Sequence, residues 1–182
     1  LVRLRTALTL IVTLSALGCG ELDDVTGLWR TLDQPLSLIA GTPPGPCLDG
    51  TYVQLAVGQY DREVAGVIKF FDSPDFVEER CPCSFLYNGR YKNGTLTFDF
   101  SQPGNEGGED VWLRAVLELY PEEDPYLKGD VFLLGPEDYQ HCGALTLDGD
   151  PGRELTDELK RCDPSEAGTW AGDQDNSEGG DG

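Results

Sequence analysis

Asn93-Gly94-Thr95-Leu96-Thr97-Phe98-Asp99-Phe100 carries the clearest structural signal in the chain. Leu96, Phe98 and Phe100 alternate with Thr95, Thr97 and Asp99, the period of a half-buried strand. Asn93-Gly94 readily takes positive φ at two successive positions, as a type I′ turn requires. The stretch therefore predicts a hairpin between residues 85–92 and 95–100.

The same rhythm continues on both sides. Val111, Leu113, Ala115, Leu117 and Leu119 alternate with Trp112, Arg114, Val116, Glu118 and Tyr120. Pro121 to Pro125 reads as a turn, and residues 127–134 return. Upstream, residues 52–57 and 64–71 pair across Gly58-Gln59-Tyr60-Asp61-Arg62. Eight strands are expected, at about 26–32, 51–57, 64–71, 84–92, 95–100, 111–119, 127–134 and 143–148. Even spacing and short turns point to an all-β fold, an antiparallel up-and-down eight-stranded β-barrel or a sandwich. One short C-terminal helix should follow. Asp150 would cap it, Pro151 fits its first position, and Leu155, Leu159 and Cys162 share one apolar face. Lys160 and Arg161 suit the negative end of its dipole.

Composition narrows the function. The chain of 182 residues holds 13 Lys and Arg against 33 Asp and Glu, a net charge of −20. That excludes nucleic acid as a partner, since phosphate binding depends on basic patches. Hydrophobic residues make up 39%, enough for one folded domain and too little sequence for two large ones. No Gly-x-Ser-x-Gly, phosphate loop or dinucleotide fingerprint occurs. His141 is the sole imidazole. Its neighbour Cys142 would face the opposite way on a strand, so His141 reads as a surface loop residue and the chain as a non-enzyme. Glu106, Glu109, Asp110 and Glu122-Glu123-Asp124 fall in expected turns and read as solvated. Asp148-Gly149-Asp150-Pro151-Gly152 opens like a calcium loop but lacks Gly at the sixth position and Glu at the twelfth; it reads as a turn. No metal and no cofactor is expected.

Residues 1–18 read as an export signal. Arg3 and Arg5 precede an apolar stretch from Ala7 to Leu17, which is too short for a spanning helix of roughly 20 residues. Leu14-Ser15-Ala16-Leu17-Gly18-Cys19 resembles the lipobox of bacterial lipoproteins. That resemblance implies diacylglycerol on the Cys19 thiol, cleavage before Cys19, and attachment to a membrane through the lipid. Two or three acyl chains make such an anchor durable. Gly20 rather than Asp after the cysteine makes the outer membrane of a bacterial cell envelope the default destination. Residues 19–24 form an acidic tether. Loss of Arg3 and Arg5 takes the net charge from −20 to −22, so anionic headgroups would repel the domain. Residues 25–162 form the barrel domain, and residues 163–182, rich in Gly, Asp and Glu, read as a disordered acidic tail dispensable for the fold.

Eight strands followed by a helix, with Gly27-Leu28-Trp29 on the first strand, resemble the lipocalin family and its Gly-x-Trp motif. The resemblance implies that Trp29 seals the closed end of the barrel and that Arg153 lies over it. Asp138-Tyr139 matches the family's second motif. A small apolar ligand in the barrel is then the first expected function. The alternative is a sealed β-domain that displays loops to an unidentified envelope partner. Leu96, Phe98, Phe100, Leu113, Leu117, Leu119, Ile68 and Phe70 are the interior candidates, against small Ala56, Gly89 and Ala115; this balance leans towards a filled barrel.

Cys47, Cys81, Cys83, Cys142 and Cys162 remain for disulfides, the default after export. Alternate loops of a barrel share one end, which places Cys47 and Cys142 within reach of one another. The lipocalin resemblance implies that Cys162 pairs with Cys81 or Cys83. One thiol is left over. Cys81, Cys83, His141 and Cys142 would suit zinc by ligand type alone, but the spacing and the compartment favour disulfides.

Overall fold

Both turn residues of the central hairpin are left-handed, with φ 53° at Asn93 and 78° at Gly94. Lys92 and Thr95 pair across them. In the computed structural model, which describes residues 24–39, 45–104, 109–136, 138–150 and 155–163, this hairpin belongs to a closed antiparallel barrel. Its segments are β1 (Gly27–Arg30), β2 (Ser37–Leu38), β3 (Tyr52–Tyr60), β4 (Glu63–Phe71), β5 (Glu79–Phe85), β6 (Tyr87–Lys92), β7 (Thr95–Gln102), β8 (Val111–Tyr120), β9 (Tyr126–Leu134) and β10 (Tyr139–Asp150). β1 pairs with β3 on one side and with β10 on the other, through Leu28–Asp150, Trp29–Gly149 and Arg30–Asp148. That second pairing closes the barrel and leaves no free sheet edge at the seam.

Ten segments make eight staves. β1 and β2 form one interrupted stave, since both ladder onto β10, β1 at Asp148–Asp150 and β2 at Gly143 and Ala144. β5 and β6 form another, broken at Leu86, with β5 on β4 and β6 on β7. The expected strand 84–92 is therefore longer and kinked. Two local irregularities cause this. Between Ile68 and Phe70 on β4, the partners on β5 are Ser84 and Cys81, so β5 carries an extra residue around Pro82-Cys83. Between Tyr87 and Arg90, β6 carries another against β7, with Asn88 at φ 52°. Such bulges re-aim the side chains that follow them.

The large apolar side chains of the staves form one core. Phe70, Phe98, Phe100, Leu55, Ile68, Leu96, Leu113, Leu117 and Leu127 are at most 1% exposed. Phe100 lies 5.9 Å from Phe70 and 6.1 Å from Phe98, centroid to centroid. Full burial of each such side chain stabilises by about 1.5–3 kcal/mol. Leu119 packs only partly buried at the margin. Ala56 is not an interior residue: with Leu28 and Val67, its register partners across β1 and β4, it forms a separate cluster. Leu155 and Cys162 cover that cluster, so the C-terminal segment lies against the outside of the wall.

The C-terminal expectation needs one correction. Asp150 ends β10 opposite Leu28, so barrel closure takes up the two residues past the expected strand end at 148; the first turn that Asp150 would cap, residues 151–154, lies outside the described residues. Among the described residues there follows a single helical turn, Asp157–Lys160. The signal and the tether through Asp23 with Cys19, the lipocalin-motif candidate Arg153, the cap partner Pro151, Glu106, and the tail from residue 164 lie outside the described residues.

Candidate functional site

One end of the barrel is stoppered by the chain between the first two staves. Leu36, Leu38, Cys47 and Leu48 all join the core. Gly45–Leu48 makes one helical turn, and Thr51 Oγ1 donates to the Leu48 carbonyl at 2.7 Å. The Leu38 amide donates to Asp49 Oδ1 at 3.0 Å. The stretch Pro43-Pro44-Gly45-Pro46, which by its prolines reads as a stiff loop, thus sends its flanks inward. A Cys47–Cys81 disulfide ties it to β5. A second disulfide joins Cys83 to Cys162 and ties the C-terminal segment to the outer wall.

These pairings correct one expectation and select within another. Cys47 does not pair with Cys142. β2 occupies the edge of β10 at Gly143 and Ala144, beside Cys142, and the helical turn carrying Cys47 leans on β5 instead. Cys142 is a buried free thiol that donates to the Val131 carbonyl at 3.3 Å. Burial raises its pKa, opposed by a backbone hydrogen bond at Leu133. Cys162 takes Cys83 of the two candidates. Cys81 and Cys83 would share a face in a regular strand, but the bulge at Pro82-Cys83 sends Cys81 into the core and Cys83 outwards. Added to the folded protein, iodoacetamide should leave Cys142 unmodified, and guanidinium should expose it. Peptide mapping reads this, and rapid labelling of Cys142 in the folded state would contradict the buried thiol.

At the other end, Trp29 is buried and its indole N–H donates to the Val25 carbonyl at 2.9 Å. A depression of about 270 Å³ beside it is lined by Leu28, Leu119, Pro121 and Pro125, among others. Asp138-Tyr139 lies at the opposite end of β10 from Gly149, the register partner of Trp29. The two lipocalin motif matches therefore do not meet.

The outer wall of β6, β7 and β8 holds the most organised polar cluster among the described residues. Alternation puts Asp99 and Arg114 outward, and register sets them opposite one another. The Arg114 guanidinium grips Asp99 with two hydrogen bonds, Nε to Oδ1 at 2.6 Å and Nη2 to Oδ2 at 2.9 Å. Asn88 Nδ2 donates to the same Oδ2 at 2.8 Å. Arg114 Nη1 donates to the Tyr139 hydroxyl at 2.9 Å, and the guanidinium sits 5.0 Å from that ring's centroid. Burial pushes the Asp99 pKa up, but the hydrogen bonds from Arg114 and Asn88 and the Arg114 charge outweigh it, and the net shift is downward. The hydrogen bond to Asp99 raises the Arg114 pKa further above its already high value.

Next to this cluster the wall is indented. A groove of about 750 Å³ is lined by Glu63, Asn88, Arg90, Lys92, Thr95, Thr97 and Arg114, with Val64 and Gly89 at its floor. The Asn88 bulge makes it, because β6 meets β4 in the ladder at Glu63–Arg90 alone. Gly89 is required there: a Cβ would lie 2.2 Å from the Val64 carbonyl oxygen. Tyr87 and Trp112 stand at the rim as an edge-to-face pair, centroids 5.1 Å apart, both substantially exposed.

His141 is exposed on β10 rather than in a loop, with Nε2 3.0 Å from Asp130 Oδ1. Cys142 faces inward; the ladder to β9 shifts register between His141 and Gly143, and this bulge brings Cys142 to the same inner side as Leu145 and Leu147. The residues weighed for zinc do not converge, since Cys81 and Cys83 are spent in different disulfides. Among the described residues no group of three or more His, Cys, Asp or Glu could hold a metal. The sequence reading missed the Asp99–Arg114–Asn88–Tyr139 network; alternation marked Asp99 and Arg114 as outward, but the register across the β7–β8 connection is not set by a short turn.

No family model matches the chain, and neither a curated protein nor a solved structure is significantly similar to it.

Proposed function

We propose that this is an exported, non-catalytic protein of a bacterial cell envelope, anchored by lipid on Cys19. In this reading its lipocalin-like barrel is sealed and presents its outer surface to an envelope partner. The observation that carries the reading is the interior: Phe70, Phe98 and Phe100 fill it, and the stopper carrying Leu36, Leu38 and Leu48 is fastened by Cys47–Cys81. A carrier of a small apolar molecule needs an apolar cavity of about 300–1,000 Å³; the groove of about 750 Å³ lies on the outer wall and is lined mostly by charged and polar residues. Two disulfides support export, because such bridges persist in oxidising compartments. A short helix around Asp157–Lys160 on the outside of the wall completes the likeness to lipocalins. The tether reaches the barrel at Asp24, five residues after Cys19 and beside Trp29. That end therefore stands towards the membrane, the outer membrane by default, and the stoppered end points away.

Two measurements test this. Mass spectrometry of the native N-terminus should find a diacylglyceryl adduct on Cys19; a mature protein that starts elsewhere ends the anchor. Titration of the purified protein with phenylnaphthylamine, a fluorescent apolar probe, should give no saturable signal. Stoichiometric binding would show that the lumen opens and would restore the carrier reading.

A further inference from the structure

We propose that the outer groove on β6–β8, with its aromatic rim, binds an anionic oligosaccharide. This rests on the reading that the wall, not the lumen, is the working surface, and it names the chemistry of the partner. Three observations point the same way. First, the groove offers amide, hydroxyl, guanidinium, ammonium and carboxylate groups together, from Asn88, Thr95, Thr97, Arg90, Arg114, Lys92 and Glu63. Such a set matches the many hydroxyls of a sugar chain. An apolar ligand would strip these groups of water without replacing their hydrogen bonds.

Second, Tyr87 and Trp112 stand exposed at the rim, 42% and 38% accessible, and Tyr139 beyond them is 62% accessible. Large aromatic side chains held outward on a rigid sheet expose apolar area at little entropic cost, and their polar edges stay wet. A sugar ring has the complementary form, one face of C–H bonds and a perimeter of hydroxyls. The rings are fixed in place: Tyr87 and Trp112 brace each other edge to face, and Tyr139 is held by Arg114. Asn88 follows Tyr87 in the chain, and Arg114 lies two residues from Trp112 on the same face of β8, so rim and groove are continuous.

Third, charge selects among sugars. In a chain of net charge −20, the groove concentrates Arg90, Lys92 and Arg114 against Glu63. Asp99 claims Arg114 with its two hydrogen bonds, which leaves exposed Arg90 and Lys92 to meet carboxylate or phosphate groups. Glu118, opposite Thr95 in the ladder, has Lys128 as its partner on the other side, and beyond roughly 8 Å the rest of the acidic surface is screened at physiological salt, so Arg90 and Lys92 are the cations nearest an entering anion. The volume of about 750 Å³ is that of a small-ligand site, room for a short run of sugar units rather than for a protein domain.

The test is isothermal titration of the purified full-length protein with three probes: a hexamer of galacturonic acid, a phosphorylated mannose oligosaccharide, and neutral cellohexaose. Saturable binding of either anionic probe is expected, and which one binds tells carboxylate from phosphate recognition. The Arg90→Ala/Lys92→Ala double variant and, separately, Trp112→Ala should each weaken it about tenfold or more. All of these side chains are exposed, and unchanged melting temperatures will show that the variants fold. Arg114 is left intact because it also holds Asp99. No binding of either anionic probe overturns the proposal, and so does binding that the variants leave unchanged or that cellohexaose equals. None of these results touches the sealed lumen, which stands or falls on the phenylnaphthylamine titration.

Discussion

Replacing Cys83 and Cys162 together with alanine should lower the melting temperature by roughly 10–15 °C. The bridge closes a span of 79 residues, and removing a loop of that size from the unfolded ensemble is worth about 4.5 kcal/mol. For a domain of this size each kcal/mol moves the midpoint by about 2–4 °C. The loss should be accompanied by detachment of the C-terminal segment, which uncovers Leu28, Ala56 and Val67 on the outer wall. Removing Cys47 and Cys81 instead frees a span of 34 residues, about 3.8 kcal/mol by the same relation. The two variants differ in what they open. Only loss of Cys47–Cys81 releases the stopper, so only that variant should gain phenylnaphthylamine fluorescence. Calorimetry and the probe read the two effects separately. A midpoint change below about 3 °C for the Cys83–Cys162 variant would mean that the bridge constrains little in the unfolded chain.

The fold was legible where its determinants are local. Asn93-Gly94 sets its own turn, and Leu96, Phe98 and Phe100 carry their own facing, so the hairpin and the inward residues of β7 and β8 follow from a dozen residues. The barrel closure was legible only as a rhythm of strands, because β1 and β10 meet across the whole chain. Two features were hidden for a specific reason. The facing of Cys81 and Cys83 depends on a bulge, and a one-residue shift exchanges the two sides of a strand; Pro82, which cannot donate to a ladder, was the one local sign of it. The outer network was hidden because Asp99, Arg114 and Asn88 come together through register and through the second bulge, at Asn88-Gly89. Asn at a left-handed position followed by Gly was a signal of that kind, weaker than Asn93-Gly94 because no regular hairpin flanks it. The stopper was obscured by its prolines: Pro43, Pro44 and Pro46 read as a loop, while the buried Leu36, Leu38 and Leu48 around them do the sealing.

Arg114→Met should cost about 1–3 kcal/mol at pH 7, the range for leaving a buried polar group without its partner, since Asp99 is buried while the Arg114 side chain is partly exposed, and this cost should shrink as the pH is lowered. Asp99 is 3% exposed, and in the native protein the Arg114 and Asn88 hydrogen bonds hold its pKa below the ordinary value against the cost of burial. A carboxylate with a depressed folded pKa contributes stability that is present above its unfolded pKa, about 3.9, and is lost as the pH falls through the folded value. Wild type should therefore lose this contribution only in acid. Without Arg114, burial acts on Asp99 opposed by Asn88 alone, and the sign reverses. The pKa then rises above the unfolded value, and protonation relieves the strain on the fold as the pH drops. Melting temperatures of wild type and Arg114→Met, compared at pH 7 and near pH 4, should converge by several degrees. The double variant Asp99→Asn/Arg114→Met removes the stranded charge and should recover at least about 1 kcal/mol at pH 7, since a neutral amide costs less to bury than an unpaired carboxylate. The other buried or crowded carboxylates, Asp148 among them, titrate in both proteins and cancel in the difference. A gap between wild type and Arg114→Met that stays constant from pH 7 to pH 4, with no recovery in the double variant, would show that Arg114 stabilises the wall by packing its stem and not by neutralising Asp99.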